Sequence, residues 1–216
     1  MSRLRLALGA ALLALGAVPA AAAAPDGSDE ARAREVIGRS KTTRATYAAY
    51  FWNVIRLKGA DPMEEWSAEF NSGYRHRVET PHDRLVANCA TKSGAHFSLI
   101  ERTTRTGERV ASTACGIAYD ESIRKVAWLG KHPSAFGEVD RVRLWGAGLV
   151  RSYDVNQQGV IVASVIAPED KPDKPVLEMR IVALEKTLPK GRLFDRATLQ
   201  RSFVPPRFML SPEPSR

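Results

Sequence analysis

Short runs of alternating apolar and polar residues, separated by turn residues, occupy most of the chain after Pro62. Successive side chains of a strand point to opposite faces, so a period of two predicts strands with one buried face. About eight strands in consecutive hairpins favour a mainly antiparallel α+β fold, with a curved sheet or an unclosed β-barrel. The predicted strands are 66–70 and 74–80 across Asn71-Ser72-Gly73, 85–91, 96–103 and 108–115 across 105–107, 142–155 and 160–167 across 156–159, and 176–188.

One or two helices are predicted before these strands. Ser28 is a candidate N-cap for a helix over 28–39, whose early acidic and later basic residues suit the helix macrodipole. Segment 45–58 has apolar residues at helical spacing, whereas its content of aromatic and β-branched residues favours a strand, so both interpretations stay open. Further on, 119–139 is interpreted as a long connection with a helical turn at 121–128, and 194–202 as a short helix.

The first 24 residues have the layout of a secretory signal peptide. Arg3 and Arg5 precede an uncharged run from Leu6 to Val18, and an alanine tract ends at Ala24. The run is short and rich in Ala and Gly for a span that needs about 20 apolar residues, although an uncleaved anchor is the alternative. The sequence therefore predicts a periplasmic or secreted protein with one domain over 25–203. A proline-rich tail over 204–216 is expected to be extended or disordered.

The chain contains two cysteines, Cys89 and Cys115. An even count in an oxidising compartment predicts a disulfide, here between neighbouring strands or their ends, with two buried thiols as the alternative. The C-x-x-C spacing of a redox pair is absent, so we assign the cysteines to stability. Without Arg3 and Arg5 the chain keeps 30 of its 32 basic residues against 24 acidic ones, a formal charge of +6. This balance favours anionic surfaces or acidic proteins as partners.

Recognised catalytic and cofactor motifs are missing. His76 and His82, with Glu79 or Asp83, are a metal candidate across a turn, but the compact zinc spacings do not occur. There is no G-x-S-x-G elbow, and the glycines of 145–148 sit inside a strand pattern, where they suggest a bulge or a close backbone approach rather than a phosphate loop. A carboxylate pair assembled from distant strands stays open. The sequence thus predicts a non-enzymatic protein without cofactor, metal or nucleic acid.

Arginines and aromatic rings supply the candidate contacts. Arg75 and Arg77, and likewise Arg141 and Arg143, alternate with mostly apolar residues, which places each pair on one face of a strand. Such pairs suit phosphate or carboxylate at the rim or outside of a sheet, and an ordinary solvated face is the alternative. In the last strand, one face carries Leu177, Met179, Ile181 and Ala183. The candidate ligand or partner contacts are Trp66, Phe70, Tyr74, Arg75, His76, Arg77 and Trp145, and their rings are also compatible with core packing.

Two segments resemble the periplasmic lipoprotein carriers of the LolA type. In Tyr74–Asn88, YRHRVETPHDRLVAN, a basic and aromatic strand leads through a proline into an apolar strand, as in that family. The hairpin that ends at Ala167-Pro168, followed by 176–183, is similar to the family's late apolar strand, proline-containing loop and returning strand. The resemblance implies an unclosed β-barrel whose concave apolar face holds acyl chains under a helical lid. The cysteine pair and the proline-rich end depart from the family pattern.

These features together predict an exported, non-catalytic envelope protein that binds an apolar or amphiphilic ligand in a concave sheet. A lipid, a lipoprotein acyl chain or an extended protein segment would fit, with transient contact to a membrane surface. The alternative is a structural or protein-binding module that docks an acidic partner through a basic face of the sheet.

Overall fold

An antiparallel sheet of eleven strands forms the body of the protein in a computed structural model that describes residues 27–211. The strand order is β6-β5-β4-β3-β2-β1-β11-β10-β9-β8-β7, and the edge strands β6 and β7 do not pair, so the sheet is unclosed. This confirms the predicted fold class. The elements are α1 Gly27–Thr42, β1 Tyr47–Ile55, β2 Met63–Ser72, β3 Arg75–Glu79, β4 Asp83–Asn88, β5 Ser93–Ser98, β6 Thr103–Thr106, α2 Glu108–Ser112, β7 Ile123–His132, β8 Val139–Gly146, β9 Leu149–Asn156, β10 Ile161–Pro168 and β11 Leu177–Glu185.

Different parts of the chain cover the two faces of the sheet. α1 packs mainly on β7 and β8 and α2 mainly on β4 and β5, and the strand register places both on one face, which we call the helix face. Residues 188–209, which we call the strap, cover part of the opposite face, the strap face. There Leu193 and Val204 are buried in one cluster with Tyr50 and Phe70.

Asp140 anchors α1 to the helix face. Its side chain is fully buried and accepts hydrogen bonds from Trp128 Nε1 at 3.0 Å and from Arg39 Nη2 at 2.5 Å. A second guanidinium of α1, that of Arg32, lies 3.7 Å from the carboxylate. Burial alone acts to raise the pKa of Asp140, but the hydrogen bonds and the nearby arginines outweigh it, so this pKa lies below its usual value. The ionised carboxylate therefore stabilises the folded state.

Replacing Asp140 by asparagine is expected to lower the free energy of unfolding by about 1.5–3 kcal/mol at pH 7, the usual range for hydrogen bonds to a charged group. Because the folded pKa is depressed, the contribution is complete above the unfolded value of about 3.9 and disappears as pH falls through the folded pKa. Urea unfolding at pH 7 and pH 3 measures this, with Glu35→Gln on the exposed side of α1 as control. An equal loss in D140N at both pH values would contradict the assignment.

Segment 45–58 contains a strand, so within residues 27–211 one helix rather than two precedes the strands. β1 lies near the centre of the sheet, and its first seven residues are buried. Because both faces are covered, apolar residues follow one another without alternation, and the helical spacing in the sequence was accidental. The described helices, α1 and α2, are not long and apolar enough to cross a membrane. The predicted signal peptide, 1–24, lies outside the described residues.

The predicted hairpin of 96–103 and 108–115 is wrong. β5 instead turns at 99–102 into β6, and 108–112 forms α2. Ala111 and Ala114 pack on Ala87 of the sheet, so α2 buries a small apolar side on the helix face. This contact with a distant strand is what selects a helix over a strand.

Two further predictions in the middle of the chain are wrong. Residues 123–132 form the edge strand β7 rather than a connection with a helical turn, and its register shifts between Trp128 and Lys131 obscure the alternation. Ala147 and Gly148 form a hairpin turn rather than a bulge, since both have positive φ, 53° and 73°. Two consecutive positive φ values are typical of a tight two-residue turn. The run 142–155 is therefore two strands, which raises the total above eight. The alternative of a close backbone approach is confirmed at Gly146, where a Cβ would lie 2.1 Å from the carbonyl oxygen of Ser122.

Residues 204–211 depart from the expected extended or disordered tail, of which 212–216 lie outside the described residues, and 194–202 departs from the expected helix. Only Arg196–Thr198 forms a 3₁₀ turn within the predicted helix, and a second turn follows at Pro206–Phe208. Val204 is buried, and the Phe208 ring stacks on Tyr50 with centroids 3.9 Å apart. Prolines here shape a packed segment. The hairpins β2/β3 and β9/β10, the strand β11 and the helix α1 confirm the sequence predictions.

Candidate functional site

An apolar strip lies on the helix face beside α1. β11 is hydrogen-bonded to β1 and to β10, yet none of its nine residues is fully buried. Leu177 pairs with Ile166 on one side and with Ile55 on the other, so these side chains form one row across the sheet. The strip has six members, all half-buried except Met63, which is 43% exposed: Ile55, Met63, Tyr153, Ile166, Leu177 and Met179.

The covering elements leave the strip partly open, although Tyr153 packs against the α1 cluster and Met179 against the cluster that contains Phe51. α1 lies over Val126, Val142 and Leu144, which are buried, and α2 lies over β4 and β5. Toward the start of β1 the helix face is filled by the protein's own side chains, with Phe51 and Val162 in one buried cluster. The partly open apolar surface is therefore limited to the region between these covered areas.

Polar groups border the strip. Ser164 and Asn53 are buried beside Met179 in the second row. At one end, burial raises the pKa of Glu65, with His82, 3.4 Å away, acting in the opposite direction. At the other end, Arg151 donates one hydrogen bond to the carbonyl of Gly146. An amphiphile along the strip would thus meet a cation at one end and a carboxylate at the other.

The predicted contacts Trp66 and Phe70 lie on the strap face, away from the strip. Phe70 is fully buried and Trp66 is 9% exposed, in one cluster with strap residues. Tyr74 sits in the β2–β3 turn with the Arg44 guanidinium 4.6 Å from its ring centroid. Trp145 lies four strands away from β1, between Lys125 and Arg143. The structure therefore does not bring the predicted contacts together into one site.

Arg75 and Arg77 share the strap face, but only Arg75 is exposed. Arg77 is fully buried, and its Nε donates to Glu79 Oε1 at 2.6 Å. Its two terminal nitrogens donate to strap carbonyls of Leu193, Thr198 and Arg201. The solvated-face interpretation is wrong for Arg77, because the strap covers it and supplies the acceptors that its donors need.

His76 points to the opposite, helix face. Its Nδ1 lies 3.2 Å from Glu69 Oε1, which also accepts a hydrogen bond from the Tyr47 hydroxyl at 2.6 Å. Burial, and then the charge of Glu69, raises the pKa of Tyr47 well above its usual value. His82 pairs instead with Glu65, so His76 and His82 do not meet. Among residues 27–211, no group of three or more His, Cys, Asp or Glu residues is placed to hold a metal ion.

The second arginine pair also lies on the strap face, outside the strap. Arg141 forms two hydrogen bonds to Asp154, at 2.6 and 2.7 Å, and Arg143 Nε donates to Ser152 at 3.0 Å. Both line a cavity of about 270 Å³ whose floor includes Val165. Because Arg141 is neutralised by Asp154, the positive charge at this surface is smaller than the sequence suggests.

The predicted disulfide between Cys89 and Cys115 is confirmed, with Cα atoms 5.7 Å apart. It joins the chain just after β4 to the chain just after α2, rather than two strands. The bridge therefore fastens the α2 segment to the sheet.

None of the six strip residues was among the contacts predicted from the sequence. The available signal was the shared face of Leu177, Met179 and Ile181, which the register confirms. Ala183 does not belong to that face, because Val182 is the extra residue of a bulge opposite Tyr50 and Phe51. The other strip residues lie on β1, β2, β9 and β10. The sequence does not show that these strands lie on either side of β11 in the sheet.

Comparison with solved structures found chains that are similar to this one. An uncharacterised conserved protein from Thermus thermophilus matches with a TM-score of 0.48 and 11% identity, over 79% of this chain and 94% of that one. A LolA superfamily protein from Nitrosomonas europaea matches with a TM-score of 0.42 and 5% identity, over 77% and 99%. A putative outer membrane lipoprotein-sorting protein domain from Vibrio parahaemolyticus gives 0.42 and 8%, over 81% and 99%.

Comparison with protein-family models and with curated proteins gave no match.

Proposed function

We propose that this protein is an exported, non-catalytic binding protein that holds an apolar or amphiphilic ligand, such as a lipid or an acyl chain, on the apolar strip. The observation that carries the proposal is the incomplete burial of Leu177 and Met179 on β11, which has neighbouring strands on both sides. A strand in this position is normally covered on at least one face. Contiguous apolar surface of this kind marks interaction sites.

The energetics favour a ligand that extends along the strip. Complete burial of one large apolar side chain is worth about 1.5–3 kcal/mol, and the strip residues have part of this gain still available. An acyl chain that covers Ile166, Leu177 and Met179 together would collect several such increments. Arg151 beside Ile166 suits a negatively charged end of the ligand.

Export is supported by two independent features. The N-terminal sequence has the order of a signal peptide, and the disulfide is of a kind that persists in oxidising compartments. A water-filled compartment is also where an apolar molecule needs a protein to cover it. We infer that the protein works in the periplasm or outside the cell.

Two adjacent residues of β10 provide a matched test. Ile166 belongs to the strip, whereas Val165, 38% exposed, points to the opposite face. We expect wild-type protein to bind a fluorescent fatty-acid analogue in a titration. Ile166→Arg should weaken that binding at least about tenfold, equivalent to 1.4 kcal/mol, because the ligand would desolvate a charge. Val165→Arg should leave the affinity within about twofold.

Thermal unfolding of each variant establishes that it is folded, and Ile166→Gln repeats the test without a charge. Absence of probe uptake by the wild type, or equal weakening in the Ile166 and Val165 variants, would refute the proposal.

A further inference from the structure

A second cavity, of about 320 Å³, lies on the strap face between the strap and β3–β5. The strap contributes Phe194 and Arg196, and the sheet contributes Arg75, Val86, Asn88 and Ala95. The cavity is therefore formed only when the strap is docked. It lies on the face opposite the apolar strip, so it is independent of the proposed function.

Two cations and no carboxylate line this cavity. Arg75 and Arg196 are both exposed, and neither forms an ion pair with an acidic residue of 27–211. Some other exposed arginines have such partners, as Arg124 has Glu169 and Arg207 has Glu185, so what sets Arg75 and Arg196 apart is that both border the same cavity. Two unpaired guanidinium groups beside one concave surface attract an anion.

The position of Arg75 is restrained. Its guanidinium carbon lies 5.0 Å from the centroid of the Phe194 ring, a cation–π contact that restrains the side chain at the cavity edge. A held guanidinium loses less conformational freedom when it binds a ligand, and its planar set of donors matches the oxygens of a phosphate group. The edge of the cavity is thus prepared for an oxyanion.

The inner wall is apolar. Val86 and Ala95 are 7% and 4% exposed and lie in one buried cluster, and Phe194 borders the same space. A water molecule occupies about 30 Å³ in the liquid and a phosphate group is only a few times larger, so inorganic phosphate would leave most of the volume unfilled. The cavity size falls within the range of small-molecule pockets, about 300–1,000 Å³.

From these observations we propose that the cavity binds an organic phosphate. Arg75 and Arg196 contact the phosphate, and the organic group lies against Phe194, Val86 and Ala95. A soluble phosphate ester and the head group of a phospholipid share this chemistry, and the experiment below separates the two sources.

Isothermal titration calorimetry at low ionic strength tests the soluble source with phenyl phosphate and with inorganic phosphate. Phenyl phosphate should bind at least about fivefold more tightly than inorganic phosphate, because only it fills the apolar wall. Affinity should fall as pH decreases through about 6, where the ester loses its second negative charge. Arg75→Gln and Arg196→Gln should each weaken phenyl phosphate binding about tenfold or more.

Arg109→Gln is the matched control, since it removes one exposed positive charge from α2 on the other face. It should change the affinity by less than about twofold. Co-sedimentation with phosphatidylcholine vesicles that contain phosphatidylglycerol tests the lipid source with the same variants. Vesicle binding that requires Arg75 and Arg196, without binding of phenyl phosphate, would assign the site to a lipid head group.

The proposal is overturned if neither probe binds, or if R109Q weakens binding as much as R75Q and R196Q do. Because both arginines are exposed, the variants are expected to unfold at the wild-type temperature, which a thermal scan verifies.

Discussion

Replacement of Arg77 by methionine is expected to lower the free energy of unfolding by about 3–5 kcal/mol, the range found when one partner of a buried ion pair is removed. In this variant the buried Glu79 carboxylate keeps one cationic neighbour, Arg84, whose Nε is 3.3 Å away. It also removes the donors that hold the strap carbonyls of Leu193 and Arg201. Urea denaturation followed by tryptophan fluorescence measures the loss.

The strap should be the first part to detach. Glu79 also accepts hydrogen bonds from Ser202 Oγ at 2.6 Å and from the Phe203 backbone N–H, so the same cluster fixes the strap at two places. In R77M we expect faster protease cleavage within 188–209 than in the wild type. Arg124→Met, which breaks an exposed pair with Glu169, is the control and should cost less than about 1 kcal/mol. Similar losses in R77M and R124M would show that the buried cluster does not hold the strap.

The second large effect is expected from the disulfide. A Cys89→Ala, Cys115→Ala double variant should be less stable by about 3 kcal/mol, because the bridge closes a loop with a sequence separation of 26 and restricts the unfolded chain. Thermal and urea unfolding of the wild type, with and without reductant, should show a decrease of the same size. The double variant is its own control, since reductant should not change its stability.

Hydrogen exchange can locate the effect. Because the bridge fastens the segment after α2 to the chain after β4, protection should be lost first in 107–117. The apolar strip lies on other strands, so binding of the fatty-acid probe should persist in the double variant. A wild type whose unfolding is unchanged by reductant would contradict this role of the bridge.

Local patterns were sufficient for several elements. The acidic start and basic end of α1, the turn residues between β2 and β3, and the Asn-Gln-Gln-Gly turn before β10 each act over a few neighbouring residues. The cysteine pairing followed from an even count and an inferred oxidising compartment. These features need no knowledge of distant contacts, which is why the sequence was enough to predict them.

Other elements depended on neighbours that are far away in the chain. β1 is buried on both faces, so it lacks the alternation that would have distinguished it from a helix. The helix α2 is stabilised by a distant contact, because Ala111 of α2 and Ala114 just after it pack against Ala87 of β4. The strip could be recognised only from the strand pairing, which places Ile55 and Ile166 on either side of Leu177.

For Arg75 and Arg77, the sequence predicted the face of the strand, whereas the tertiary structure decided which side chain is buried. Alternation along β3 was enough to place both side chains on one face, and the structure confirms this. Burial was decided by the strap, which supplies carbonyls from Leu193, Thr198 and Arg201 to Arg77 and leaves Arg75 at the edge of a cavity. A charged side chain is buried only where a complete set of partners surrounds it, and here those partners lie more than a hundred residues further along the chain.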